Sequence, residues 1–319
     1  GKSLFLSTLA AYFRGQKELF KGLYLEKAEE ELAQQEGREA WQEYTVLYLD
    51  LNTEYYRSEK DLDNILNIHL TAWEELYGKN EIEQTHSSRF KGIIERAYKK
   101  EQREVVILVD EYDKPLYETL DNEVLNATYR GILKGVFSVI KSSDEYLRFA
   151  FLTGITKFSK VSVFSGLNNL EDLSMDNEYA GICGITEQEL ETYFSAYIRV
   201  LAEKKKLSYD ETKKLLKENY DGYCFAAEGE KVYNPFSLLN ILKKGQLKNY
   251  WFTTGTPTFL VNYLKKAHYF VPNLEGKVRL SETRFDSFRA DILDPLPILY
   301  HTGYLTIKGY DNETDSYRL

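Results

Sequence analysis

The chain has 319 residues, of which 41 are Lys or Arg and 50 are Asp or Glu, for a net charge of −9 with 43% hydrophobic and 14% aromatic residues. That much apolar surface, interrupted throughout by charge, excludes a disordered or fibrous chain, and no run is long and uncharged enough for a membrane-spanning helix. The two cysteines, Cys183 and Cys224, are too few for a disulfide framework, and the four histidines follow no metal-binding spacing, so a cytoplasmic protein without a histidine metal site is expected.

Gly1-Lys2-Ser3 runs directly into Leu6, Leu9, Tyr12 and Phe13 at helical spacing, and Val46-Leu47-Tyr48-Leu49 reads as a short strand ending at Asp50. A cap signal from Ser58 to Asp61 opens a helix carrying Leu62, Ile65, Leu66, Leu70, Trp73 and Leu76, and a second helix carries Phe90, Ile93, Ile94 and Ala97. Val105-Val106-Ile107-Leu108-Val109 is a continuously apolar strand. A helix with Leu125, Tyr129, Ile132, Val136 and Ile140 follows, and Phe149-Ala150-Phe151-Leu152 is a third strand. Apolar strands separated by helices predict an α/β protein with a parallel sheet covered on both faces.

The charge changes along the chain: residues 1–185 carry 22 basic and 32 acidic side chains, whereas 186–319 carry 19 and 18. A boundary is placed at the Gly181-Ile182-Cys183-Gly184 turn, giving a core over 1–184 and a mainly helical region over 185–319. Thr186 to Glu189 and Ser208 to Glu211 both fit the capping box, in which the hydroxyl caps a backbone N–H and the glutamate reaches back. Leu190, Tyr193, Phe194, Tyr197, Ile198 and Leu201 are then expected on one helix face. A further helix is expected from Pro235 to Leu242. Near the end, Pro297-Ile298-Leu299-Tyr300 and Tyr304-Leu305-Thr306-Ile307 read as paired strands about His301-Thr302-Gly303. Residues 231–268 contain six lysines, Lys231, Lys243, Lys244, Lys248, Lys265 and Lys266, with no acid and many aromatics. This stretch is either a solvated face over an aromatic core or a contact for DNA or a protein partner.

Three short segments carry chemistry. Gly1-Lys2-Ser3 before a helix is the last third of a P-loop, in which backbone N–H groups and the lysine hold phosphate oxygens and the hydroxyl binds Mg2+. Asp110-Glu111 at the tip of the buried strand matches a Walker B arrangement, Asp110 orienting Mg2+ or its water and Glu111 polarising the attacking water. Thr153, at the end of the next strand, stands where an NTPase senses the γ-phosphate, and Lys157 and Lys160 follow close by. Each segment has a plainer explanation, since acidic and polar residues commonly end strands at a surface. Asp113, with Pro115 two residues on, reads as a turn or helix-start residue.

At these residues the sequence resembles the bacterial AAA-ATPase-like family, P-loop proteins commonly fused to a C-terminal PD-(D/E)XK nuclease-like domain. The tracts that carry the resemblance are Gly1-Lys2-Ser3-Leu4, Leu108-Val109-Asp110-Glu111-Tyr112-Asp113-Lys114-Pro115, and Phe151-Leu152-Thr153-Gly154-Ile155-Thr156-Lys157-Phe158-Ser159. Phe164-Ser165-Gly166-Leu167-Asn168-Asn169, Tyr220-Asp221-Gly222-Tyr223 and Tyr233-Asn234-Pro235-Phe236-Ser237 add to them. The resemblance implies an AAA/STAND-like P-loop fold followed by a winged-helix-like region. It implies nucleotide binding, with ATP expected, by Gly1, Lys2 and Ser3, Mg2+ coordination by Ser3 and Asp110, and a catalytic or water-polarising role for Glu111; Thr153 is a catalytic candidate from its strand-end position.

The chain opens inside the phosphate loop and stops before a nuclease-like domain, so a fragment is expected, lacking its first core strand and binding nucleotide weakly. Glu275-Gly276-Lys277 matches half of a nuclease signature without the strand that should precede it. The expected activity is ATP hydrolysis in a switch or motor, with oligomer formation open. Against it stand a degenerate binding module without turnover, and metal-dependent nuclease chemistry at Asp110, Glu111 and Asp113. The last is disfavoured because neighbouring side chains of a strand point to opposite faces.

Overall fold

The apolar run Val105-Val106-Ile107-Leu108-Val109-Asp110 forms strand β2 (Val105–Asp110), buried along its whole length. In the computed structural model, which describes residues 1–155, 163–164, 167–250, 258–268, 278–285 and 294–319, β2 is the centre of a parallel sheet. It lies between β1 (Thr45–Asp50) and β3 (Leu147–Leu152), and its register sets Asp50 beside Asp110. A central parallel strand meets apolar neighbours on both sides, which is why its sequence shows no polar alternation. The chain divides into two compact units, Lys2–Leu170 and Glu171–Leu319, the second grouped with Gly1. The coarse α/β expectation is met by the first unit.

Helix α1 (Lys2–Phe13) covers one face of that sheet, where Leu6 and Ala10 pack with Val106 and Leu108. Ring contacts set its direction: Phe5 meets Phe151 late in β3, while Phe13 meets Phe149 and Tyr44 nearer the strand starts. The helix therefore runs against the strands and presents its N-terminus at their carboxyl tips. Helix α2 (Tyr24–Glu36) is polar and lies outside the predicted elements; its buried Glu29 accepts hydrogen bonds from Arg38, Tyr12 and the backbone of Trp41.

Helices α3 (Glu59–Tyr77) and α4 (His86–Glu101) pack together, and α4 contacts β1 and β2. The Ser58–Asp61 capping box starts α3 as predicted. Leu62, Ile65, Leu66 and Leu70 are buried, whereas Leu76 is exposed. After the short α5 (Lys114–Tyr117), α6 (Glu123–Ser142) buries Leu125, Tyr129, Leu133, Val136, Phe137 and Ile140 against α3 and α4.

In the second unit α7 (Glu187–Lys205), α8 (Tyr209–Tyr220) and α9 (Pro235–Lys244) enclose a core of Leu190, Ile198, Leu201, Leu216, Leu238 and Ile241. Both expected capping boxes are present, at Thr186–Glu189 and Ser208–Glu211. Tyr193 and Tyr197 do not join the buried face of α7, being 62% and 58% exposed. A small antiparallel sheet of order β4-β6-β5 follows, built from Arg279–Ser281 (β4), Gly309–Asp311 (β5) and Ser316–Arg318 (β6).

The paired-strand reading of 297–300 and 304–307 is corrected: Pro295–His301 is a helix, capped by Asp294, whose side chain accepts the N–H of Leu296, and 304–307 forms no strand. A four-residue apolar run suits either state, and here Asp before Pro at the first helical position settles it. Lys157, Lys160 and Glu275-Gly276-Lys277 lie outside the described residues.

Candidate active site

Because open α/β sheets place functional groups beyond the carboxyl ends of their strands, the tips of β1, β2 and β3 are where the predicted residues should meet. Asp110 ends β2 on the same face as Val106 and Leu108, the face that α1 covers, since strand side chains alternate. It is 3% exposed. Its Oδ2 stands 3.4 Å from the hydroxyl of Tyr48 on β1, a long contact, and its Oδ1 has no hydrogen-bond partner among the described residues. Burial and the neighbouring Asp110 and Asp50 push the Tyr48 phenol up to about 12, so it stays protonated and donates.

Glu111 follows with a left-handed backbone, φ 53°. For a residue with a Cβ that region costs about 1–2 kcal/mol, and such strain persists only where the surroundings impose it. Its Oε2 is enclosed without a hydrogen-bond partner among the described residues. Burial is the main cause that raises its carboxyl to about 7; the Lys2 ammonium opposes the shift, and Asp113 and Asp110 add to it. Lys2, half-buried in the first turn of α1, is the cation that opposes the shift of Glu111.

Ser3 lies exposed in the same turn, Gly1 stands just before it, and that first turn holds no acidic residue to neutralise its N–H groups. Thr153 is buried beside the pair: its N–H donates to the Val109 carbonyl at 2.9 Å, and its own carbonyl accepts from the N–H of Tyr112 at 3.0 Å. The structure therefore gathers Lys2, Asp110, Glu111 and Thr153 at one end of the sheet, with Ser3 on the adjoining helix turn.

Two enclosed carboxylate oxygens without hydrogen-bond partners among the described residues each need a proton, a water or a cation to complete them. Among the described residues no three His, Cys, Asp or Glu side chains gather as a metal-holding group. Sequence reasoning passed over Tyr48, Gly154 and the depth at which Asp113 is buried. The sequence signal for the first was an aromatic hydroxyl on a neighbouring strand, two positions short of its tip.

Of residues 231–268, Lys243 and Lys244 are exposed on the last turn of α9, the Lys244 ammonium lies over the ring of Tyr250, and Lys248 is exposed. Lys204 of α7 donates to the Lys244 carbonyl at 3.0 Å, adding another cation to this end of the helices.

A parallel sheet with helices on both faces and an acidic pair at its central strand tip is compatible with a P-loop-like AAA fold. The chain belongs to the AAA-ATPase-like family, described as "Predicted AAA-ATPase", which matches residues 1–164. It is also similar to an "Uncharacterized protein in vnfD 5'region" of Azotobacter chroococcum mcd 1, 38% identical over 308 residues. That alignment covers 96% of this chain and 55% of the relative, so the chain spans about half the relative's length. No solved structure matches the chain. Among the described residues no helix is long and apolar enough to cross a membrane.

Proposed function

We propose that this chain is an ATP-binding and ATP-hydrolysing module, a cytoplasmic ATP-dependent switch or motor that acts together with a nuclease-like domain. The observation that supports it best is the pair of enclosed, unpartnered oxygens on Asp110 and Glu111 beside the lysine-bearing first turn of α1. In this reading Gly1, Lys2 and the first-turn N–H groups hold phosphate oxygens, and Ser3 and Asp110 would hold Mg2+. When bound, the metal ion offsets charge developing on the transferred phosphoryl group.

Glu111 accepts a proton from water as the water oxygen attacks the γ-phosphorus; the bond to the bridging oxygen breaks and ADP leaves with that electron pair. A carboxyl titrating at about 7 suits this task, because it is partly ionised at neutral pH and still basic enough to accept the proton. Thr153 orients the water or the γ-phosphate from the neighbouring strand. Phosphate release from MgATP is the direct test: Glu111→Gln should abolish turnover and leave ATP bound, and unchanged turnover refutes the assignment.

A second reading, a degenerate site whose 231–268 stretch contacts DNA or a protein, is favoured by the exposed Lys243, Lys244 and Lys248. It requires binding to duplex DNA that weakens steeply with salt, or a salt-sensitive protein complex. In this second reading helices α7, α8 and α9 and the small sheet of the second unit would take a winged-helix-like role in such contact.

A further inference from the structure

Asp113 has the sequence position of a helix cap, immediately before α5, yet its side chain makes no capping hydrogen bond. It is fully buried, at 0% exposure. A carboxyl group in that setting is costly unless it is bonded, and its Oδ1 accepts the N–H of Ile155 at 3.1 Å. Ile155 lies two residues beyond Thr153, so the bond fastens the segment leaving β3 to the segment leaving β2.

Position 154 shows how close that approach is. A Cβ on Gly154 would stand 2.4 Å from Asp113 Oδ1. Only glycine lets the carboxylate reach the backbone beyond it.

The neighbours of Asp113 fasten the same loop in other directions. The N–H of Tyr112 donates to the Thr153 carbonyl at 3.0 Å, and the N–H of Lys114 donates to the Glu111 carbonyl at 3.0 Å. The buried Lys114 ammonium donates to the Asn52 carbonyl at 2.5 Å, just past the tip of β1. Residues 112–114 thus tie three strand tips together around Glu111, whose left-handed backbone needs such restraint.

We propose that Asp113 is a positioning residue which, with Gly154, sets the distance between the Glu111 carboxylate and the Thr153 hydroxyl. This role rests on the ATP-hydrolysis reading given above. Loss of the Asp113 contact frees the Gly154–Ile155 segment that follows Thr153 and leaves the binding groups on α1 untouched. The effect should therefore fall on kcat rather than KM, since small displacements of reacting groups are costly in rate.

The test compares MgATP hydrolysis, in a form of the protein extended upstream of Gly1, by the wild type, Glu111→Gln, Asp113→Ala, Asp113→Asn, Gly154→Ala and the double variant Asp113→Ala/Gly154→Ala. Asp113→Ala and Gly154→Ala should each lower kcat by roughly tenfold or more with KM within about twofold. Asp113→Asn, whose amide oxygen can still accept the Ile155 N–H, should keep most of the turnover. The double variant should lose less than the product of the two single losses, because removing Oδ1 makes room for the new methyl group. If Asp113→Ala does not fold, Asp113→Asn and Gly154→Ala decide the matter.

Wild-type kcat in Asp113→Ala or in Gly154→Ala, or a loss in Asp113→Asn equal to that in Asp113→Ala, overturns the positioning role while hydrolysis stands. Wild-type turnover no greater than that of Glu111→Gln overturns the hydrolysis reading itself.

Discussion

Replacing Glu111 by glutamine should stabilise the protein at pH 8 and cost it about 1 kcal/mol at pH 4. Burial raises this carboxyl from 4.5 to about 7, so the folded state holds its proton more tightly than the unfolded chain does. Below about 4.5 both states are protonated and the group contributes no difference. Between 4.5 and about 7 the unfolded chain releases its proton first, and stability falls as pH rises; above about 7 the full penalty stands. At about 1.4 kcal/mol per pH unit, that penalty is about 3 kcal/mol. Glutamine is neutral at every pH and escapes it, but its amide brings a donor that finds no acceptor where Oε2 sits, costing about 1 kcal/mol. The net expectation is a gain of about 2 kcal/mol at pH 8. Urea denaturation of the two proteins across pH 4–8 measures it, with the m-value held as a check on two-state behaviour. A difference that is constant with pH, or a glutamine variant less stable at pH 8, refutes the claim that an ionised Glu111 is buried at the strand tip.

Lys2→Met should move the Glu111 titration further upward, because the ammonium that favours its charged form is removed; an unmoved carboxyl resonance in a pH titration would place Lys2 away from the acidic pair. Arg38→Ala should cost about 3 kcal/mol in urea denaturation, since it leaves the 2%-exposed Glu29 without its cation, and a loss below about 1 kcal/mol would show that Tyr12 and the Trp41 N–H suffice. In the second unit, Gly184→Ala would set a Cβ 2.2 Å from the Cβ of Val232. It should lose about 1–3 kcal/mol, and a thermal midpoint equal to wild type would contradict this.

The strands and most helices of the first unit are legible in the sequence because local patterns specify them. β2 is buried along its whole length, and its five residues before Asp110 are all apolar, as a strand covered on both faces requires. Thr186 and Ser208 mark helix starts because a hydroxyl and a glutamate three residues on satisfy each other's backbone donors. Where the reading fails, the local signal is degenerate. Pro297–Tyr300 is apolar enough for a strand, yet it lies in a helix whose cap, Asp294, stands just outside the run. Tyr193 and Tyr197 fit the periodicity of the buried face of α7 but are large amphipathic side chains that tolerate water.

The candidate site divides the same way. Asp110, Glu111, Thr153 and Gly1-Lys2-Ser3 could be named from the sequence, because strand-tip acids and a glycine-lysine-serine helix start are contiguous signals. Their environment could not. The left-handed backbone of Glu111, its raised carboxyl, the burial of Asp113 and the need for glycine at 154 depend on contacts between residues some 40 positions apart. Desolvation is a property of everything packed around a group, and no local stretch of chain carries it. The sequence by itself therefore determined which residues are candidates for chemistry here, and the tertiary structure decided which of them are buried, paired and held in place.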